Sequence, residues 1–415
     1  MRILYITQYY TTPDKPGSLR HYAHTQEWAR KGHDVVVLTT FVLHKNTVIP
    51  SEYEGVKSVA ETIGGCTVRK LYSRPSFSGF RGRMANYLTF MCRAMRAGLR
   101  ERGPFDVVMA SSPSLFAALA GSVVARAKRV PFVLEIRDLW PASAIATGHL
   151  TNPFIIWLAR RLEASLYAHA SAIVCVTERI ADAVRAKASD SKSIFVIPNG
   201  VDAELFHGSD EDSSDVVATH LSQIEGSLAL YAGSHGKNNA LDTIIEAAKL
   251  LSDERVHFVL IGEGDQTERL RAWAKRDGLR NVTFLGSLPR EHVPRLLRRA
   301  SVLLWPVFWN RDDPSLRTLK EGVVPNKLYD YVASGRPLVT SVPRPSEASE
   351  KLEQWGAVVA YADPNTGSFA RAIQAALAMT PMSEHDCASF IDGHSRARYA
   401  TKVEQILRSV SEGRT

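Results

Sequence analysis

Short apolar runs alternate with longer amphipathic stretches through the first half of the chain. The runs fall at Ile3–Ile6, Val35–Thr39, Val107–Ala110, Phe132–Ile136, Ile173–Val176 and Ile194–Ile197, and their β-branched character predicts strands. Between them His21–Arg30, Ser114–Lys128 and Pro153–Ala168 place apolar residues at helical spacing. Strands apolar on both faces and joined by helices predict a parallel sheet covered on both sides. Pro198-Asn199-Gly200 breaks this pattern, and the polar, acidic run from His207 to Asp215 predicts a linker. Alternation restarts at Leu228–Tyr231 and continues through Phe258–Ile261, Val282–Leu285, Val302–Trp305, Leu338–Thr340 and Val358–Ala360. The expected fold class is α/β, with two doubly wound, Rossmann-like domains in series. They are placed at residues 1–205 and 227–394, with a linker at 206–226. Ligands of such sheets bind beyond the carboxyl ends of the strands, so two facing sheets predict a cleft. A last helix, Ser395–Val410 within the terminal stretch 395–415, has an apolar stripe that suits either domain.

One amphipathic stretch has two readings. From Phe77 to Arg102, Phe80, Met84, Tyr87, Leu88, Met91, Met95 and Leu99 follow helical spacing. Arg81, Arg83, Arg93, Arg96, Arg100 and Arg102 lie largely elsewhere. An apolar stripe beside arginines suits the headgroup region of an anionic membrane. The same pattern describes a helix packed on its own sheet.

At 415 residues and 45% hydrophobic, the chain is long enough for two cores. Its net charge of +8 suits nucleic acid, anionic lipid or an anionic small substrate. No aromatic-interleaved basic sheet or recognition helix is evident, so nucleic acid is not an expected partner. The four cysteines are far apart with no C-x-x-C pair, which argues against disulfides and zinc and fits a reducing cytoplasm. The run M-R-I-L-Y-I-T is a strand rather than a signal peptide, and no apolar stretch approaches the roughly 18 residues of a spanning helix. The expected location is cytoplasmic, with peripheral attachment to the cytoplasmic face of a membrane if the basic helix serves that purpose.

The chemistry concentrates in V-V-P-N-K-L-Y-D-Y-V-A-S-G-R-P-L-V-T. Pro325 precedes a helix that stops at Gly335, so the first turn presents the amides of Asn326, Lys327 and Leu328. Together with the Lys327 ammonium they make an anion site suited to phosphate. One turn on, Asp330 is an acceptor for sugar hydroxyls. An ordinary surface helix with one acid has the same pattern. Three strand-to-helix junctions carry small residues: Pro16-Gly17-Ser18, Gly233-Ser234-His235-Gly236-Lys237 and Gly262-Glu263-Gly264-Asp265. None is the full dinucleotide fingerprint, and no phosphate-binding P-loop occurs. Any one of them reads as a packing turn. Two in one domain, with the Lys327 segment, point to a nucleotide diphosphate bound by the second half.

Taken in order, these segments resemble the retaining glycosyltransferases of the GT-B fold, in the family-four group. G-S-L-R and W-A-R-K-G-H-D-V-V-V-L-T match the first loop, helix and second strand. I-P-N-G-V-D-A-E-L-F matches the interdomain signature, and I-G-E-G-D-Q-T-E-R-L with N-V-T-F-L-G-S-L-P the nucleotide-binding region. With E-I-R-D-L-W-P, the chain is most similar to transferases that build bacterial surface polysaccharides. The resemblance implies that Asp330 binds the donor ribose, standing where the family has the second of two glutamates eight residues apart. It implies that the amides of Asn326 and Leu328 hold the diphosphate with Lys327. Lys237 and Gly236 follow the first strand of the second domain, where Ser234 stands at the usual Arg position. Gly264, Leu285 and Gly286 fall where the base is bracketed, and Gly17 where the first loop meets the diphosphate. Gly322 stands at the place of the first glutamate, so either Glu321, Asp312 or Asp313 meets the donor sugar through a one-residue insertion, or that contact is absent.

The resemblance also implies transfer without metal or cofactor, the nucleotide sugar being a substrate. Lys237 and Lys327 then stabilise the leaving diphosphate. A phosphate oxygen takes the acceptor proton, or Asp138 does as a base; Asp138 also reads as a turn acid near Trp140-Pro141. Glu135, Arg137 and Arg20 are candidate acceptor contacts, while His21 and His24 read as packing or surface histidines. A UDP-sugar donor and a lipid-linked sugar acceptor are the expected partners. Two other readings remain, a non-hydrolysing UDP-N-acetylhexosamine epimerase and a binding protein that keeps the fold without turnover.

Overall fold

The computed structural model describes residues 1–15, 17–42, 49–75, 80–112, 114–207, 221–222, 224–307 and 321–413, with 80, 81 and 238 as backbone only. The start of the basic stretch at Phe77, the Arg81 side chain, the acidic run 208–215 and the loop acids Asp312 and Asp313 lie outside that description. The chain forms two compact units. The first comprises Met1–Thr12, Gly17–Asn199 and the C-terminal helix, and the second is chiefly Gly200–Ser395.

Eight strands form the first sheet: β1 (Arg2–Ile6), β2 (Asp34–Thr40), β3 (Ser58–Ile63), β4 (Cys66–Leu71), β5 (Val107–Ser111), β6 (Phe132–Ile136), β7 (Ala172–Cys175) and β8 (Ser193–Val196). Their spatial order is β3-β4-β2-β1-β5-β6-β7-β8, parallel except for the antiparallel β3/β4 pair. That hairpin is absent from the sequence reading. Its two strands are joined by Gly64-Gly65, whose φ of +53° and +80° a tight turn requires.

Burial follows the two-residue period of the strands. Leu4 and Ile6 point to one core with Val36, Leu38 and Phe90, while Ile3 and Tyr5 point to the other with Trp28, Val35 and Val37. The helices start on side-chain caps from Ser114, Asn152 and Thr177.

The last helix, Arg396–Ser411, belongs to the first unit. Tyr399, Val403, Ile406, Leu407 and Val410 complete the Ile3/Tyr5 core. Trp28 Nε1 donates to the Ala400 carbonyl at 2.9 Å, and His33 Nε2 lies 3.1 Å from Glu404 Oε1.

The basic helix Phe80–Arg100 packs one face on the core of the first sheet. Phe90 and Ala94 are fully buried, Met91 and Met95 pack on the same core, and Tyr87 stacks with Phe116 at 6.2 Å. Its stripe is that of a helix packed on its own sheet, the second of the two sequence readings.

The second unit holds β9 (Ser227–Ala232), β10 (Val256–Ile261), β11 (Val282–Gly286), β12 (Val302–Trp305), β13 (Leu338–Thr340) and β14 (Val359–Tyr361). All pair in parallel in the order β11-β10-β9-β12-β13-β14. The direction of winding reverses between β9 and β12, which places the ligand crevice of this sheet at the carboxyl ends of those strands. The unit begins earlier than the expected linker at 206. Val201 and Phe206 are buried among Leu228, Leu297 and Phe390, so their apolar side chains assign this segment to the second core.

Candidate functional site

At the carboxyl end of β9 the chain turns through Gly233 and runs to a short 3-10 turn, Lys237–Asn239. The helix Asn326–Ala333 begins beside it, with Pro325 at its cap position and no capping side chain. Lys327 joins the two. Its Nζ donates to the Tyr231 hydroxyl at 2.8 Å and to Asn239 Oδ1 at 3.2 Å, and lies 4.3 Å from the Tyr231 ring centre. Tyr231 is buried, which pushes its hydroxyl well above the ordinary tyrosine range and keeps the proton on it. That proton goes to the Ser234 carbonyl at 2.8 Å, which Asn239 Nδ2 also reaches at 2.7 Å. A Cβ on Gly233 would meet Lys327 Nζ at 2.9 Å, so a glycine there leaves room for the ammonium. A positive charge is thus fixed at the start of a helix, beside the crevice of the second sheet.

The other glycines of the sequence reading divide into two kinds. Gly262 has φ +120°, and a Cβ there would lie 2.0 Å from the Gly233 carbonyl oxygen; one on Gly264 would lie 2.5 Å from that of His235. These two junctions are therefore built against each other, and the glycines serve backbone-to-backbone approach. Gly236 has room for a Cβ, whose nearest neighbour would lie in ordinary contact at 3.7 Å. We expect Gly262→Ala to cost about 2–3 kcal/mol and Gly236→Ala less than about 1 kcal/mol, read by calorimetric unfolding. Equal costs would mean the contact is not as drawn. Between the junctions His235 is buried, its Nδ1 3.0 Å from Thr267 Oγ1, which also accepts from the Gly264 amide at 2.9 Å.

One expectation changes here, and a second acquires a partner. The Leu328 amide donates to the Pro325 carbonyl at 3.1 Å, so it is taken up by the turn and does not serve an anion. Asp330 is buried and both its carboxylate oxygens accept from Arg290 Nη2, at 3.2 and 3.3 Å. Arg290 Nε also bonds Asp202 Oδ2 at 2.8 Å, so one guanidinium binds two acids. Arg290 was missed in the sequence. Its signal was the P-R-E-H segment just after β11, a basic residue at the carboxyl edge of the sheet. Leu285 is half-buried in β11, and Gly286 takes φ +70° and accepts from the Gly262 amide at 2.7 Å. Lys237 is exposed on the 3-10 turn, and Glu321 is half-buried before Pro325.

The first unit gathers Arg20, Glu135 and Arg137 into one network. Arg20 and Glu135 have no exposed side-chain surface and pair at 2.8 Å. Arg20 also donates to the carbonyls of Pro198 and of Ile197, the latter at 2.9 Å. Arg137 Nη1 lies 2.7 Å from His21 Nε2. A guanidinium only donates, so Nε2 accepts and the proton sits on Nδ1, which bonds the Tyr5 hydroxyl. Tyr5 in turn donates to Glu135 Oε2 at 3.0 Å. Burial and the neighbouring Arg137 bring His21 down to about 3, so it stays neutral. Burial alone would raise the Glu135 carboxyl, but Arg20 and Arg137 hold it well below the usual carboxylate range. Arg20 and Glu135 are therefore positioning residues rather than acceptor contacts, because Glu135 is engaged by Arg20 and Tyr5, and Arg20 by Glu135 and two carbonyls. His21 and His24 are buried, the latter stacked on Trp28.

Arg137 is half-buried, with Nη2 3.4 Å from Ser18 Oγ. Asp138, just past β6, accepts from Ser143 Oγ at 3.0 Å, as a turn acid does. Gly17 has φ +149° and lies against Thr11, whose Oγ1 would be 2.7 Å from an added Cβ.

A parallel sheet with a lysine fixed at its switch-point crevice is the arrangement of a doubly wound, ligand-binding α/β domain. Comparison with known proteins narrows the class. Residues 21–200 match the glycosyl transferase 4-like domain and residues 226–379 the glycosyl transferases group 1. The chain belongs to the family-four glycosyltransferases of the GT-B fold. It is 23% identical over 283 residues to the probable glycosyltransferase WbjE of Pseudomonas aeruginosa, an alignment spanning 66% of each chain. That is just under two thirds of the relative's length. It is 22% identical over 373 residues to the putative colanic acid biosynthesis glycosyl transferase WcaI of Escherichia coli K12, spanning 86% of this chain and 87% of that one. Among solved structures, sucrose-phosphate synthase from Thermosynechococcus elongatus matches with a TM-score of 0.72 at 14% identity, over the full length of both. Anabaena HepE in complex with UDP matches with a TM-score of 0.67 at 16% identity, over 99% and 100%. These structural likenesses speak to the fold alone.

Proposed function

We propose that this protein transfers a sugar, with retention, from a UDP-linked donor to a hydroxyl of a lipid-linked saccharide in surface-polysaccharide assembly. The observation that carries the reading is Lys327, held at the start of the Asn326 helix by Tyr231 and Asn239 at the crevice of the second sheet. A diphosphate seated there gains charge as the glycosidic bond breaks, and a fixed cation beside helix-start amides stabilises that charge without reorganising. In this reading Lys327, with Lys237, does what a metal ion does elsewhere. A phosphate oxygen of the leaving group accepts the proton of the attacking hydroxyl, with Asp138 as the alternative base.

The UDP preference draws on HepE, solved with UDP and with UDP-glucose, and the pathway class on the name of WcaI. Asp330 meets the ribose in this scheme, oriented by Arg290.

Incubating the pure protein with UDP-, GDP- and dTDP-sugars tests the scheme. Slow release of free UDP without acceptor is the expected result. Interconversion of sugars would instead identify an epimerase, and binding without release a protein that has lost turnover.

A further inference from the structure

We infer that the first turns of the helix Pro153–His169 are a docking tip that seats the first unit on an anionic bilayer. Phe154, Trp157 and Leu158 expose 69%, 53% and 53% of their surface. The other large apolar side chains exposed among the described residues, Leu88, Leu99, Leu250 and Val323, are scattered singly. Three such residues within five positions form a continuous apolar patch, which a solvated helix has no reason to carry.

The tip is built rather than frayed. Asn152 Oδ1 accepts from the amides of Phe154 and Ile155 at 3.0 and 3.2 Å, and the Phe154 and Trp157 rings stack 6.0 Å apart. Ala159, Glu163, Leu166 and Tyr167 anchor the opposite face in the unit's interior.

Charge selects the partner. Arg160 and Arg161 occupy the next turn, both exposed, with the Arg161 guanidinium 5.4 Å from the Trp157 ring centre. A cavity of about 370 Å³ opens beside them, lined by Pro141, Ile145, Tyr167, Arg160 and Lys187. Within it Lys187 is paired with the buried Glu163 at 2.9 Å, so the unmatched positive charge of the collar is that of the two arginines. Aromatic and leucine side chains at an end, with arginines one turn behind, match the depth profile of a bilayer surface: apolar groups below the phosphates, guanidinium groups level with them. A second copy of this chain fits less well, because a two-fold contact through the tip would bring the arginine pairs of both copies together. The helix Phe80–Arg100 is not the docking element. Met91 and Met95 of its stripe pack on the core, and its exposed Leu88 and Leu99 stand about 16 Å apart along the helix.

The inference deepens the proposed function by locating where a lipid-linked acceptor is met, but its evidence does not depend on sugar transfer. The test is flotation of the full chain with phosphatidylglycerol/phosphatidylcholine vesicles and with phosphatidylcholine alone. Wild type is expected to float with the anionic vesicles. The triple variant Phe154→Ser, Trp157→Ser, Leu158→Ser is expected to lose at least tenfold of that partitioning. Arg160→Glu with Arg161→Glu is expected to remove its salt-sensitive part, and Arg83→Glu with Arg93→Glu to change nothing. Flotation of the triple variant at the wild-type level, or no flotation of wild type, overturns the inference. So does a wild-type dimer in solution that the triple variant converts to monomer without any vesicle binding. UDP release measured without vesicles in the same preparations keeps the two claims apart. Its absence in wild type counts against the proposed function and leaves the flotation result standing.

Discussion

Lys327→Met is expected to lower donor turnover by about 100-fold or more, the scale of removing one fixed electrostatic group from a developing negative charge. The argument rests on what holds the ammonium in place. The Tyr231 hydroxyl, the Asn239 amide and the Tyr231 ring are neutral groups that orient Lys327. Stability should fall by only about 1 kcal/mol, since two hydrogen bonds at the edge of the site are lost. Arginine should not restore activity. Nζ already sits where a single carbon on Gly233 would be 2.9 Å away, and a planar guanidinium is broader than an ammonium. Steady-state UDP release and calorimetry on the same samples separate the two effects. Unchanged turnover in Lys327→Met would remove this residue from the donor site.

Arg20→Ala is expected to be the most destabilising single change in the first unit, by about 3–5 kcal/mol. Its guanidinium and the Glu135 carboxylate are both fully buried, and it also satisfies the carbonyls of Ile197 and Pro198. Removing it leaves a buried anion and two acceptors without their donor. At about 2–4 °C per kcal/mol for a unit of this size, the midpoint of unfolding should drop by roughly 10 °C. Arg20→Leu combined with Glu135→Leu should recover much of the loss, because no unpaired charge then remains. If the double variant is as unstable as the single, the pairing is not the source of the effect. The sign with pH follows from the depressed Glu135 carboxyl. Its contribution is complete above the unfolded carboxyl value of about 4.3 and is lost only as pH falls toward the folded one.

The layered architecture was legible because both sheets are buried on both faces. Uniform runs such as Val35–Thr39 and Val302–Trp305 have no other economical fold. The β3/β4 hairpin escaped because its outer strand alternates half-buried and exposed positions, so V-A-E-T-I carries no apolar run, although Gly64-Gly65 marked its turn. In the site, Lys327 stood out through its place at a helix start. What spacing could not show was side-chain pairing across distant segments. Arg290 meets Asp330 over 40 positions, and Arg20 meets Glu135 over 115. Both pairs draw on residues that look available in the sequence and are engaged in the fold. The amphipathic helix Phe80–Arg100 stayed open between two readings for a related reason, since an apolar stripe shows sidedness and not what lies on the side.

The placement of Arg396–Ser411 has a consequence for how the protein is made. This helix completes a core begun by Ile3 and Tyr5, so the first half cannot mature until synthesis has passed residue 411. The second half, by contrast, lies almost wholly within Gly200–Ser395 and has its parts in hand earlier. A premature stop near codon 396 would thus strike the beginning of the molecule, leaving Trp28 without its cover, while a fragment ending at 199 would be an unfinished body rather than a domain.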